Sequence, residues 1–233
     1  MENLNQDMKG GKKTDYEVVA QIAIISILAV LMVYNGIKIY IYGVNGAAIG
    51  SEGIATRIGT VSASEIIPTG IPEVYGGELN IKYDYISAND PELTEETIGK
   101  LSSYEDMALN SAQMARYVRI GSSISCEYCC GAQSLVFSNG QRACGCAHSY
   151  AMRGLAKYLL TEHPDVTDEQ ILSELGKFKV LFFPGVHEQK AAALKANGID
   201  SKDYINLASN KYGGIENQAS SSGSGGSGMV GGC

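Results

Sequence analysis

Five of the chain's six cysteines stand in one short run, CEYCCGAQSLVFSNGQRACGCAH, from Cys126 to His148. No other feature limits the fold as strongly, because so many sulfur atoms must end around an ion, in a redox couple or in disulfides. Cys126-x-x-Cys129 is the spacing that turns two thiolates toward one centre, with Cys130 adjacent. Cys144, Cys146 and His148 add three soft or borderline donors at the start of an expected helix. Ser138-Asn139-Gly140 between the two groups is a turn signal, so a Cys-rich hairpin is expected to bring them together.

Three chemistries suit this pattern. In the first, four of Cys126, Cys129, Cys130, Cys144, Cys146 and His148 bind a transition metal, Zn²⁺ in a tetrahedron or Cu(I) in lower coordination. In the second, Cys126 and Cys129 are a C-x-x-C redox pair, which makes the protein a thiol-disulfide oxidoreductase. In the third, disulfides staple an interaction module, as an even cysteine total in an oxidising compartment allows. Adjacent Cys129-Cys130 and nearly adjacent Cys144 and Cys146 make simple pairing awkward, and His148 is a ligand that disulfides do not need, so the metal reading is preferred. C-x-x-C-H haem attachment and the C-x₂-C-x₂-C-x₃-C iron-sulfur run are absent.

A second feature sets the location. Val18 to Ile37 contains no ionisable residue and would span roughly 30 Å as a helix, the thickness of the hydrocarbon layer. Tyr34, Tyr40 and Tyr42 fall at one end of this segment, rings that favour the membrane interface, so a transmembrane helix is expected over 18–42. Lys9, Lys12 and Lys13 before it outweigh Lys38 and Arg57 after it. The expectation is a single-pass cell-membrane protein with a cytoplasmic N-terminal tail (1–17) and an extracytoplasmic C-terminal domain, its lipid contact made by the anchor. A cleaved signal peptide would have a shorter apolar region and a nearby small-residue cleavage site.

The remainder reads as mainly α. Residues 43–88, rich in Gly, Ser and Pro, suggest an extended tether, with Ile54–Val61 and Leu79–Tyr85 as a short strand pair. A helical Cys/His domain covers 89–212. Its helices are expected from Asp90-Pro91 to about Leu101, over Met107–Ile124, over Ala147–Glu162, after the Thr167/Gln170 capping box, and over Glu188–Ala196. Residues 213–233 form a Gly/Ser-rich flexible tail whose Met229 and Cys233 can swing back to a site on the domain, Cys233 as a further metal ligand.

Other side chains receive plainer readings. His163 complements a helix end, and His187 lies in a solvated loop. Met107, Met114 and Met152 are core residues, while Glu95, Glu96, Glu105 and Asp106 form solvated faces. A net charge of −7 without a basic stripe excludes nucleic acid as a partner. A metal donor or a thiol-containing protein is the partner the cluster suggests.

Two local resemblances accompany these readings. Cys129-Cys130-Gly131-Ala132-Gln133-Ser134-Leu135 through Ser138-Asn139, then Asp168-Glu169-Gln170-Ile171, Phe178 and Pro184, resembles the membrane-anchored helical thiol-oxidoreductase domain of cytochrome c maturation. That likeness implies reduction of apocytochrome thiols by a C-x-x-C pair, although Cys126 and Cys129 stand upstream of the family's positions. Cys144-Gly145-Cys146-Ala147-His148-Ser149 is similar to the end of the Cys-Tyr-Cys-Gly-Cys motif of metal-binding bacterial lipoproteins. As a whole the chain looks like membrane-anchored Cys-rich proteins of archaea.

Overall fold

The computed structural model describes residues 18–29, 32, 61–218 and 228–231. The chain divides into two compact units, Met1–Ala55 and Thr56–Cys233. In the first, residues 18–29 and 32 are helical. Val18, Val19, Ile22, Ile25, Leu28 and Met32 are all exposed, and the hydroxyl of Ser26 donates back to the carbonyl of Ile22 at 2.8 Å. Among the described residues no helix is long and apolar enough to cross a membrane. The remaining positions of the expected span, 30, 31 and 33–42, lie outside the described residues, as does the tail 1–17.

The second unit is helical, with no strand among its described residues beyond two isolated bridges. Its elements are α1 (Ala63–Ile66), α2 (Gly76–Leu79), α3 (Pro91–Ser102), α4 (Ser111–Ser122), α5 (Glu127–Cys130), α6 (Ala147–Glu162), α7 (Asp168–Phe182), α8 (Pro184–Ala196) and α9 (Tyr204–Ala208). Local chemistry sets the helix starts. Asp90 accepts from the N–H of Leu93 with Pro91 at the first helical position, and Asn110 with Gln113 and Thr167 with Gln170 form reciprocal capping boxes on α4 and α7.

Helix α6 is the central element. Met152, Leu155, Ala156, Leu159 and Leu160 are essentially inaccessible, so the helix is enclosed on nearly every side, with α3, α4 and α7 packed around it. At its crossing with α3, a Cβ on Gly154 would fall on the carbonyl oxygen of Leu101. Glycine is what lets the two backbones approach there.

Several expectations change. Residues 61–88 are no extended tether. Tyr75, Leu79, Ile81, Tyr83 and Ile86 are buried in the main core, and the hydroxyls of Tyr75 and Tyr83 both donate to Glu174, at 3.0 and 2.6 Å. Leu79–Tyr85 forms no strand because its apolar groups insert one by one between helices, and left-handed Asn80 (φ 49°) turns the chain after α2. Ile54 to Thr60 lie outside the described residues. Helix α8 starts at Pro184, ahead of the expected Glu188, and carries His187 fully buried rather than solvated. Its Nδ1 donates to the Phe183 carbonyl at 2.8 Å, and burial, with Lys179 nearby, holds its pKa well below the usual histidine value. Glu105 is likewise not on a solvated face: it is 3% exposed and pairs with Arg153, itself wholly buried, and with Arg142 at 3.0 Å. At the end of the chain, residues 228–231 are docked, with Val230 buried and its N–H donating to the Phe182 carbonyl at 2.8 Å.

Candidate metal centre

The cysteine-rich stretch is held by turns and buried charges. Helix α5 is a single turn that starts after Cys126 and ends at Gly131, whose left-handed backbone (φ 71°) returns its N–H to the Glu127 carbonyl at 3.0 Å. Glu127 clamps this turn to α7. The buried ammonium of Lys179 reaches both Glu127 oxygens, at 2.9 and 3.0 Å, and the Ala208 carbonyl at 2.9 Å. The turn expected at Ser138-Asn139-Gly140 is present. Gly140 donates to Phe137 and Phe137 to the Gln141 carbonyl, with a bridge between Val136 and Arg142 that returns the chain toward Cys144. Arg153 then fixes the second cysteine group, donating to the carbonyls of Cys144 at 2.8 Å and Leu135 at 3.3 Å.

These supports bring the two groups together. One potential ligand atom each from Cys126, Cys129, Cys146 and His148 lies within 4.8 Å of all the others. A second, overlapping group unites Cys130, Cys144 and Cys146 on the same criterion. All six sequence candidates are thus in one neighbourhood, but in different covalent states. Cys130 and Cys144 are joined as a disulfide, Cys129 is also disulfide-bonded, and Cys126 and Cys146 carry free thiols. The adjacency of Cys129 and Cys130 did not prevent pairing, because successive residues on a helical turn project about 100° apart and reach different neighbours. Cys233 lies outside the described residues.

Cys146 is the N-cap of α6. Its sulfur lies 3.3 Å from that of Cys126, accepts from the N–H of Ser149 at 3.4 Å and donates to the Ser149 hydroxyl at 3.4 Å. The hydrogen bond from Cys126, helped by His148 and Ser149, holds Cys146 far below the usual thiol range, while that same bond and burial push Cys126 up. The pair is therefore two buried sulfurs in hydrogen-bond contact at the positive end of a four-turn helix, with the lower pKa at Cys146.

His148, in the first turn of α6, is fully buried. Its ring packs on Phe182 and Phe183, centroids 4.4 and 5.1 Å away. Nε2 is 2.8 Å from the carbonyl oxygen of Val230. A carbonyl only accepts, so Nε2 is the donor in this contact. A histidine that binds a metal through one nitrogen and donates the other N–H to a backbone carbonyl has this arrangement.

Sequence patterns alone did not point to Lys179, Glu127, Arg153 or Val230 as supports of the site. A lysine and an arginine at buried positions of otherwise apolar helix faces are the one signal that was present for two of them. Comparison of the chain with protein-family models, curated proteins and solved structures finds no match.

Proposed function

We propose that this chain is a transition-metal-binding protein that holds Zn²⁺, or alternatively Cu(I), with Cys126, Cys129, Cys146 and His148. One observation carries the reading: four soft or borderline donors from separate stretches converge within 4.8 Å of one another. A tetrahedral zinc site with Zn–S bonds near 2.3 Å places its sulfurs about 3.8 Å apart. That separation falls between the 3.3 Å contact of Cys126 with Cys146 and the outer limit of the group. Three thiolates and an imidazole, all from the protein and largely buried, make a closed coordination sphere, which favours structural or storage binding over catalysis. Cys129 joins the set only as a thiolate, so the complete site belongs to the form in which its disulfide is reduced. Cys130 and Cys144, bonded to each other, brace the loop.

The apolar N-terminal stretch is the proposed anchor in a cell membrane. Exposed aliphatic side chains all round residues 18–29 and a serine satisfied within its own helix suit a lipid surroundings better than water. On this reading the metal domain is extracytoplasmic and receives its ion from a donor at the membrane surface. Resistance of the protein to alkaline extraction from membranes supports the anchor, and its quantitative release overturns it.

The second reading is a thiol-disulfide exchange protein. It is favoured by the 3.3 Å contact between Cys126 and Cys146, whose pKa is held low, a different couple from the expected Cys126 and Cys129. Against it stands burial: Cys126 is inaccessible and Cys146 only 9% exposed, which hinders attack on a protein substrate.

Metal analysis with thiol counting separates the two. Protein purified and reduced without oxygen should contain one zinc or copper ion per chain, with three thiols becoming reactive on chelation. Absence of a stoichiometric ion after reconstitution overturns the metal reading.

A further inference from the structure

We infer that the Cys130–Cys144 disulfide is a relay through which low-molecular-weight thiols and disulfides exchange two electrons with the buried Cys126/Cys146 pair. The inference rests on the exchange reading above and supplies the entry point that burial of the pair denies it. It is carried by the position of Cys146, which belongs to both sulfur groups at once.

On one side, Cys146 Sγ is 3.3 Å from Cys126 Sγ. On the other, it lies within 4.8 Å of the sulfurs of Cys130 and Cys144, which are bonded to each other. Four sulfurs thus connect the interior with the surface. Cys126 is inaccessible, Cys146 and Cys144 are nearly so, and Cys130 is open to solvent. Backbone groups hold the set together: the N–H of Cys146 reaches Cys144 Sγ at 3.5 Å, and Cys130 Sγ is 3.5 Å from the Cys126 carbonyl oxygen. Glycine follows each half of the disulfide, and at both Gly131 and Gly145 a Cβ would meet nothing within 4 Å. No side chain at these two positions obstructs a small reagent at the outer sulfur.

The steps balance within the protein. Cys146, as its thiolate, attacks Cys130 Sγ; the Cys130–Cys144 bond breaks, and Cys144 leaves as a thiolate beside the N–H of Cys146. Attack at Cys130 avoids a bridge between Cys144 and Cys146, which are only two residues apart. Cys126, as its thiolate, then attacks Cys146 Sγ and expels the Cys130 thiolate. Cys126 and Cys146 end oxidised by two electrons and Cys130 and Cys144 reduced by two, while the protons lost by the first pair are matched by those gained by the second. A small-molecule disulfide restores the outer bond: the Cys130 thiolate attacks it and expels one thiolate, and Cys144 attacks Cys130 Sγ and expels the other. The net reaction oxidises the buried pair and yields two small thiols. A small dithiol drives the sequence backward. Because Cys126 and Cys146 are also proposed metal ligands, oxidation through the relay withdraws two donors from that site.

The test uses the full-length, metal-free protein in detergent, with glutathione disulfide as the probe. After timed exposure, acid quenching and alkylation, peptide mapping under non-reducing conditions should find Cys126 linked to Cys146. The double variant Cys130→Ser with Cys144→Ser should form that link about tenfold more slowly, because the reagent then reaches the buried pair only through local opening. Equal rates overturn the relay and leave the exchange reading standing. Absence of the link from both proteins overturns the relay and the exchange reading together. A second variant works without a comparison of rates. Cys126→Ser lacks the resolving thiol, so alkylation before any reagent is added should capture Cys144 and leave Cys130 linked to Cys146. A Cys130–Cys144 link that persists in this variant, or Cys146 linked to Cys129 instead, overturns the route.

Discussion

His148 and Val230, 82 residues apart, are joined by a 2.8 Å hydrogen bond from the imidazole Nε2 to the backbone carbonyl oxygen. This contact links the cysteine centre to the end of the chain and assigns the tautomer of the ring. Nitrogen NMR of selectively labelled histidine should find His148 protonated at Nε2 in the metal-free reduced protein. Its Nδ1 resonance should move on addition of zinc, while Nε2 keeps its proton. An Nδ1–H tautomer would contradict the assignment.

Arg153 and Glu105 are a buried ion pair on which the Cys144 loop depends. Arg153→Met should destabilise the domain by about 3–5 kcal/mol in denaturant titrations, because it leaves a carboxylate in the interior with only the half-exposed Arg142 to meet it. The double variant Arg153→Met with Glu105→Gln should recover part of that loss. A double variant as unstable as the single one would show that the arginine acts through its carbonyl contacts alone.

Gly154→Ala tests the crossing of α3 and α6. The added methyl falls on the Leu101 carbonyl, and the helices must separate to admit it, at an expected cost of about 1–3 kcal/mol. Gly77→Ala, where a Cβ meets nothing within 4 Å, is the control and should change stability little.

Lys190 makes stability rise with pH in the alkaline range. Burial and the neighbouring Lys179 lower its pKa to about 8, whereas in the unfolded chain it titrates near the usual value of about 10.4. Between those values the unfolded state holds more protons, so unfolding becomes less favourable as pH increases, with a slope of up to about 1.4 kcal/mol per pH unit. Lys190→Met should flatten the slope between pH 8 and 10. Denaturant titrations across that range check it, and an unchanged slope would assign the effect to other groups.

The sequence made the local rules legible and left the long-range ones hidden. Helix α6 runs from Ala147 to Glu162, as its apolar spacing predicts, and the Thr167/Gln170 box opens α7 as read. Both depend on residues within a few positions of one another. The convergence of the two cysteine groups was also readable, since a turn signal lay between them. His187, Glu105 and Arg153 were not, because a polar residue that is paired in the interior looks in sequence like one in water. The docking of Val230 and the burial of Tyr75 and Tyr83 depend on partners about 50–100 residues away in a tertiary packing that no local period encodes. Cys130–Cys144 pairing was masked by the adjacency of Cys129 and Cys130, which a helical turn resolves.

Cobalt(II) substitution tests the convergence of Cys126, Cys129, Cys146 and His148 on one ion most directly. Reduced protein should bind one equivalent with the intense visible bands of a tetrahedral site and a near-ultraviolet sulfur-to-metal charge-transfer band. Cys126→Ser, Cys129→Ser, Cys146→Ser and His148→Ala should each weaken or alter that spectrum, and Cys130→Ser with Cys144→Ser should leave it intact. The weak absorption of octahedral cobalt, or a spectrum indifferent to Cys126, Cys129, Cys146 and His148, would contradict the account.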